Sequence, residues 1–235
     1  MRAIYKRELK NYLNNPMGYV FLGIFTLMFS GIFCYTNLYL YTSSDISHTF
    51  SIMIYLMMVL MPLLTMRLIS EEKAEKTDQL LLCAPVSALD IVYGKFLAAM
   101  TLIGVALLFT VPHLVILSIQ GNPQIGTTLL SYFGFFIYSA VYAAIGIFIS
   151  SLTENQVISA VFSFAVFIGM IAVEIFVVPT IQNPALYAVL GSISFATRYL
   201  DFSLGILNIS SLVYYISIAA LFNYFTVRVI EKRRW

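Results

Sequence analysis

The chain is expected to be an all-α polytopic membrane protein with six transmembrane helices, and three observations lead there. Of its 235 residues, 60% are hydrophobic and 10% charged, where soluble chains carry about 25% charged residues. The apolar residues fall into runs of roughly twenty, the length of helix that crosses a bilayer. The charged residues gather between those runs, so one transmembrane domain over 1–235 is expected, with no room for a second, soluble one.

The first stretch, residues 1–15, is too polar for a cleaved signal peptide, and the first apolar run is expected to be a retained span. Ile4, Tyr5, Leu9, Tyr12 and Leu13 recur at helical spacing, while Arg2, Lys6, Arg7 and Lys10 take the remaining face. That pattern predicts a basic amphipathic helix lying in the membrane interface; the alternative is a solvated tail. Pro16 breaks it, because proline disfavours helical geometry in the residue before it.

The spans are expected at 17–41, 50–68, 91–119, 129–150, 157–178 and 209–229. Pro62 lies inside span 2, where neighbouring helices satisfy the carbonyl it frees. Span 3 is long enough to tilt or to begin at the interface. Between spans 5 and 6, Pro179 and Pro184 interrupt the chain, and the apolar run Ala185 to Ile193 is too short to cross. A re-entrant or interfacial segment is expected there.

Six spans put both termini on one side, and the positive-inside rule fixes which. With the N-terminus in the cytoplasm, Arg2, Lys6, Arg7, Lys10, Arg67, Lys73, Lys76, Lys95, Arg228, Lys232, Arg233 and Arg234 lie inside and Arg198 alone outside. The expected location is therefore the cell's inner (cytoplasmic) membrane, with both termini cytoplasmic. Cys34 and Cys83 fall on opposite sides in this topology, which argues against a disulfide between them.

The longest polar break runs from Arg67 to Lys95 and faces the cytoplasm in this topology. It carries Glu71, Glu72, Glu75, Asp78 and Asp90, five of the eleven acidic residues. Connections between packed helices usually take about 2–8 residues; this one is far longer and is patterned. Ser70 before Glu71 and Glu72 suits a helix start, and a helix over 71–82 would put Glu71, Glu75, Asp78 and Leu82 on one face. Pro85 would end it, and Ser87 with Asp90 would cap the helix leading into span 3. The break reads as a helix, turn and helix along the membrane surface, a docking element for a soluble partner; an ordinary solvated loop is the alternative.

The run Glu-Glu-Lys-Ala-Glu-Lys-Thr-Asp-Gln-Leu-Leu-Leu-Cys-Ala-Pro-Val-Ser, followed by Ile-Val-Tyr-Gly-Lys-Phe, resembles the signature of ABC-2 type transporter permeases. There the pattern is roughly Glu-(Arg/Lys)-x-x-Gly-Thr-x-Glu-x-Leu-Leu-x-x-Pro-(Val/Ile)-Ser, then x-x-Ile-x-x-(Gly/Ala)-Lys. The resemblance covers essentially the whole chain and is greatest to compact members such as gliding-motility permease subunits. This sequence departs from the pattern with Lys76-Thr77 for Gly-Thr and with Asp78-Gln79. The resemblance implies a coupling helix around Glu71 to Pro85, flanked by the N-terminal helix and seated in a cleft of a separate ATPase subunit. Glu71, Glu72, Glu75, Lys76, Asp78 and Pro85 are the implied docking residues. It also implies a second permease copy, identical or related, and two ATPases that hold ATP and magnesium. No Gly-x-x-x-x-Gly-Lys-Ser/Thr run is present, so no cofactor is expected in this chain.

Ionisable groups also lie deep within the spans. His113 in span 3 and Glu174 in span 5 each sit about twenty residues from the cytoplasmic end, about 30 Å at helical rise. Such groups usually face protein or water. They are candidates for a substrate path, a hydrogen-bonded switch between spans or a polar pair; snorkelling at the outer edge is the alternative. Arg198 and Asp201 have the spacing of a local surface pair. Tyr35, Tyr39, Tyr41, Tyr132, Tyr187 and Tyr199 suit an aromatic belt. Phe133, Phe135, Phe136 and Tyr138 suit a wall against lipid or a second copy. The scattered His and Cys have no metal-ligand spacing, and nothing suggests nucleic acid. The expected role is the permease subunit of an ATP-driven exporter of a lipid-like or amphipathic substrate. The alternative is a membrane anchor or mechanical scaffold that engages an ATPase without transport. An intramembrane enzyme would need more polar residues within the spans.

Overall fold

In the computed structural model the chain folds into ten α-helices and two π-helical stretches, described over residues 1–39, 45–78, 86–120, 123–177 and 194–233. Helix α1 is Arg2–Asn14. Span 1 is α2, Pro16–Phe33, with a π-helical end at Cys34–Tyr39. Span 2 is α3, Ser47–Thr65, continued by α4, Arg67–Ala74. Span 3 is α5, Ala88–Leu108, and α6, Val111–Gln120. Span 4 is α7, Ile125–Leu152, and span 5 is α8, Gln156–Ala172, with a π-helical end at Val173–Val177. Helix α9, Phe195–Ser203, precedes span 6, which is α10, Ile209–Lys232. Six helices are long and apolar enough to cross a membrane, so the chain is an all-α, multi-pass membrane protein.

Span 4 is the hub. It packs on spans 2, 3, 5 and 6 and on α9, most extensively on span 6. Its small residues allow this: Gly146 stands where a Cβ would come within 2.3 Å of the Thr65 hydroxyl of α3. The aromatic wall expected to face lipid or a second copy is therefore divided, because a helix surrounded on most sides buries most of its faces. Phe135 and Tyr138 are fully buried inside the bundle, while Phe133 is exposed. Phe21, Phe25, Phe29 and Phe33 follow at every fourth residue on span 1, the spacing that lines one helical face. All four are buried, and Phe25 and Phe29 meet Phe135 and Phe50 edge-on at 6.1 and 5.2 Å.

Several expectations change. Span 2 does not stop at Leu68 but runs on to Ala74. Ser150 of span 4 supports the junction at Met66, accepting from the Ile69 and Ser70 amides at 3.2 and 3.1 Å and donating to the Met66 carbonyl. Ser70 is consequently no helix cap; its hydroxyl bonds back to the Met66 carbonyl. The helix expected over 71–82 ends at Ala74, and residues 79–85, with Pro85 and Cys83, lie outside the described residues. Span 3 is interrupted at Phe109–Thr110. Pro112 has no amide to donate and clashes with the carbonyl four residues before it, that of Leu108, which is the last residue of α5. The run Ala185–Ile193, expected to be re-entrant, lies outside the described residues, as do Tyr41 and Tyr187. Tyr199, expected in an interfacial belt, is fully buried and donates to the Ser131 carbonyl. The cap before span 3 forms as expected: the Asp90 amide donates to the Ser87 hydroxyl at 3.1 Å, and that hydroxyl donates to the Asp90 carboxylate at 2.8 Å. Cys34 is a free thiol.

Candidate functional site

The N-terminus, Arg233 at the end of α10, α1, α4 and the start of α5 share one end of the bundle. The N-terminal ammonium lies 3.5 Å from Asp90, and Arg233 pairs with Asp78 and Glu154. Helix α1 is amphipathic, but it packs on protein as well as presenting a basic face. Ile4 is buried against span 3 at Gly94, where an added Cβ would come within 3.0 Å of the Ile4 side chain. The Tyr12 hydroxyl donates to the Leu64 carbonyl of span 2 at 3.1 Å, and the Tyr5 hydroxyl meets Thr101 at 3.0 Å. Arg2, Lys6, Arg7 and Lys10 stay on the exposed side.

The same face carries Glu8, one turn from Ile4 and one from Tyr12, and Glu8 is buried. It meets Lys95 of α5, whose side chain is 1% exposed. The ammonium lies 3.2 Å from Glu8 and 2.9 Å from Glu72 of α4, and it also donates to the Leu68 carbonyl. Arg7 closes the set with ion pairs to both carboxylates. Two acids and two bases thus join three elements far apart in sequence. Burial pushes the Glu8 carboxyl up, but Lys95 and Arg7 outweigh it and hold it below the ordinary value of 4.5.

This joint changes the reading of the acidic stretch. Glu72 and Asp78 are engaged inside the chain, by Lys95 and Arg7 and by Arg233. Lys73 is buried and donates to the Ser151 carbonyl at the end of span 4. Glu71 and Glu75 carry no ion pair to a described residue, and Glu75 and Lys76 are exposed. Lys76 has a φ of 57°, the left-handed region that favours glycine. The chain leaves α4 through this residue, and it is the position where the resembled signature carries glycine.

Beside the joint is a cavity of about 590 Å³ between α1, α4 and the start of α5. Arg7, Lys95, Glu8 and Glu72 form one wall as mutually neutralised pairs. Lys10 and Arg67 line it with Glu71 and Glu75, a second balanced set whose charges are not spent on one another. The Arg67 Nε is buried without a hydrogen-bond partner among the described residues. With two acids and two bases that have no ion-pair partner among the described residues, the cavity can receive a polar, charge-bearing element of another molecule.

The sequence alone does not single out Glu8 or Lys95 as a pair. The available signal is an acid on the apolar face of α1, together with the lysine that ends the Ile-Val-Tyr-Gly-Lys run. The intramembrane candidates are not a pair. His113 meets Ser30 of span 1 at 2.9 Å and the Thr110 carbonyl at 3.2 Å, between the rings of Phe29 and Phe33. Glu174 bonds instead to the start of α9. Asp201 accepts from Asn208 and Ser211, and Arg198 lies over the Tyr214 ring at 4.2 Å. Among the described residues no cluster of three or more His, Cys, Asp or Glu has a metal-binding arrangement.

The family model for ABC-2 family transporter proteins matches residues 2–234. No curated protein gives a significant match to the chain.

Proposed function

This chain belongs to the ABC-2 family of transporter proteins, and on that premise we propose that it is the membrane subunit of an ATP-driven exporter whose ATP is hydrolysed by a separate subunit. Members of the family generally work with an ABC ATPase and as dimers. In this reading the charged end of the bundle faces the cytoplasm, in keeping with the clustering of lysine and arginine there. The ATPase engages the cavity bounded by α1 and α4, and Glu71, Glu75, Lys76, Lys10 and Arg67 supply its contacts.

The observation that carries the reading is the buried joint of Glu8, Lys95, Glu72 and Arg7 beside that cavity. A docking element must pass force to the spans. Glu72 lies in the last turn of the helix that continues span 2, Lys95 two turns into span 3, and Glu8 and Arg7 tie α1 to both. Movement of an ATPase against α4 would therefore tilt spans 2 and 3 together with α1. The cargo is lipid-like or amphipathic: the ionisable side chains deep within spans 3 and 5, His113 and Glu174, are already bonded to neighbouring elements.

The test is assembly with the ATPase. Glu71→Lys with Glu75→Lys should leave the folded chain intact and lower co-purification and stimulated ATP hydrolysis at least about tenfold, the scale of losing rim and pocket charges at an interface. Full binding by that double variant would remove the docking role. Glu72→Lys is no test of docking, because it breaks the internal joint first.

A further inference from the structure

The π-helical end of span 5 lies at the opposite end of the bundle from the charged joint. Such turns shift side chains out of α-helical register and recur at functional positions. Here the shifted stretch carries Glu174. Its Oε1 accepts from the Ser194 hydroxyl at 2.9 Å and the Ala196 amide at 3.1 Å, and also from the Phe195 amide. The amides of a helix's first turn have no partner within the helix, and a carboxylate there complements the positive end of the helix dipole. Glu174 Oε2 is buried and has no partner among the described residues.

Helix α9 also packs on spans 2 and 4 and is bonded to span 6. Phe202 lies so close to span 4 that a Cβ at Gly134 would come within 2.6 Å of it. The Tyr199 hydroxyl donates to the Ser131 carbonyl of span 4, and the Tyr215 hydroxyl of span 6 donates to the Phe195 carbonyl at 2.6 Å. Asn208 and Ser211 donate to Asp201. Spans 2, 4 and 6 and α9 therefore form one packed body; span 5 packs on spans 2 and 4, and its outer end is bonded to α9 through the Glu174 carboxylate.

We propose that Glu174 is a releasable latch, which holds the outer end of span 5 against α9 and, when it lets go, allows that end to part from α9. The half-used carboxylate suits release. In the closed state Oε1 takes three donors, while Oε2 is buried with no partner among the described residues, which opposes closure. Opening breaks three charge-assisted bonds and hydrates both oxygens, so the gain on one side offsets part of the cost on the other. The latch goes beyond the docking reading and is tested on this chain alone, without an ATPase.

Ala196, 7% exposed, and Ala99 of α5, fully buried, are each replaced by cysteine in a chain whose Cys34 and Cys83 are serine. Labelling by N-ethylmaleimide is timed in phosphatidylethanolamine–phosphatidylglycerol vesicles. With Glu174 present both sites should label slowly. Glu174→Ala should speed labelling of Ala196→Cys about tenfold or more, the factor expected for one charge-assisted hydrogen bond, and leave Ala99→Cys unchanged. Glu174→Gln keeps an acceptor oxygen and should give an intermediate rate; if Glu174→Ala does not yield a monodisperse protein, this variant decides alone. Equal rates with and without the carboxylate would overturn the latch. Equal acceleration at Ala99→Cys would do so too, since that reports general loosening.

Discussion

Lys95→Met removes one charge from a site that has little water to replace it. The ammonium is 1% exposed and lies 3.2 Å from Glu8 and 2.9 Å from Glu72. Methionine keeps most of the volume of the stem, so the packing change is small. What remains is two carboxylates that share Arg7, whose side chain is half-exposed. Breaking a buried pair by removing one partner costs about 3–5 kcal/mol. Arg7 stays in place and Glu72 retains some solvent, so the lower end applies, about 3 kcal/mol. In a chain of this size 1 kcal/mol moves Tm by about 2–4 °C, which puts the loss at about 6–12 °C. Scanning fluorimetry of the detergent-purified protein measures it. Adding Glu72→Gln removes one of the two stranded acids and should recover about 1 kcal/mol, or about 2–4 °C. A loss below about 2 °C for Lys95→Met, or a further loss on adding Glu72→Gln, would refute the joint.

Lys76→Gly relieves a left-handed backbone at an L-residue and should raise Tm by about 2–4 °C, for about 1 kcal/mol; an unchanged or lower value contradicts the strain. Because the folded Glu8 carboxyl sits below 4.5, the unfolded chain takes up that proton first as pH falls. The stabilisation is therefore complete above the ordinary carboxylate range and is lost as pH drops through the depressed folded value. A Tm series taken downwards from about pH 6 should show this loss in the native protein and a shallower slope in Glu8→Gln. Gly94→Leu places a side chain where Ile4 sits and should free α1, seen as faster tryptic cleavage at Arg7 and Lys10; unchanged cleavage would mean that α1 is held without this contact.

The spans were legible because a bilayer leaves few alternatives: long apolar runs must be helices. Their ends were less so. Span 2 outruns its apolar stretch because Ser150, Ser151 and Lys95 accept or donate for its polar continuation, and these residues lie far along the chain. Glu8 and Lys95 are 87 residues apart, and no local pattern encodes such a pairing. Composition marked the acidic stretch as a surface, yet Glu72 and Asp78 belong to the interior joint and the C-terminal pair, while Glu71 and Glu75 carry no ion pair to a described residue. The departure Lys76-Thr77 became meaningful only with the backbone angle at Lys76. Glu174 and His113 stood out as ionisable groups in lipid, but whether they meet depends on which helix each side chain faces, and they face different ones.

A photo-crosslinking residue at Glu75, activated in intact cells, tests the central claim most directly. The account expects a covalent product with a cytoplasmic ATPase subunit, lost when ATPase production is stopped. Crosslinks formed with extracytoplasmic proteins, or with lipid and this chain alone while the ATPase is present, would contradict it.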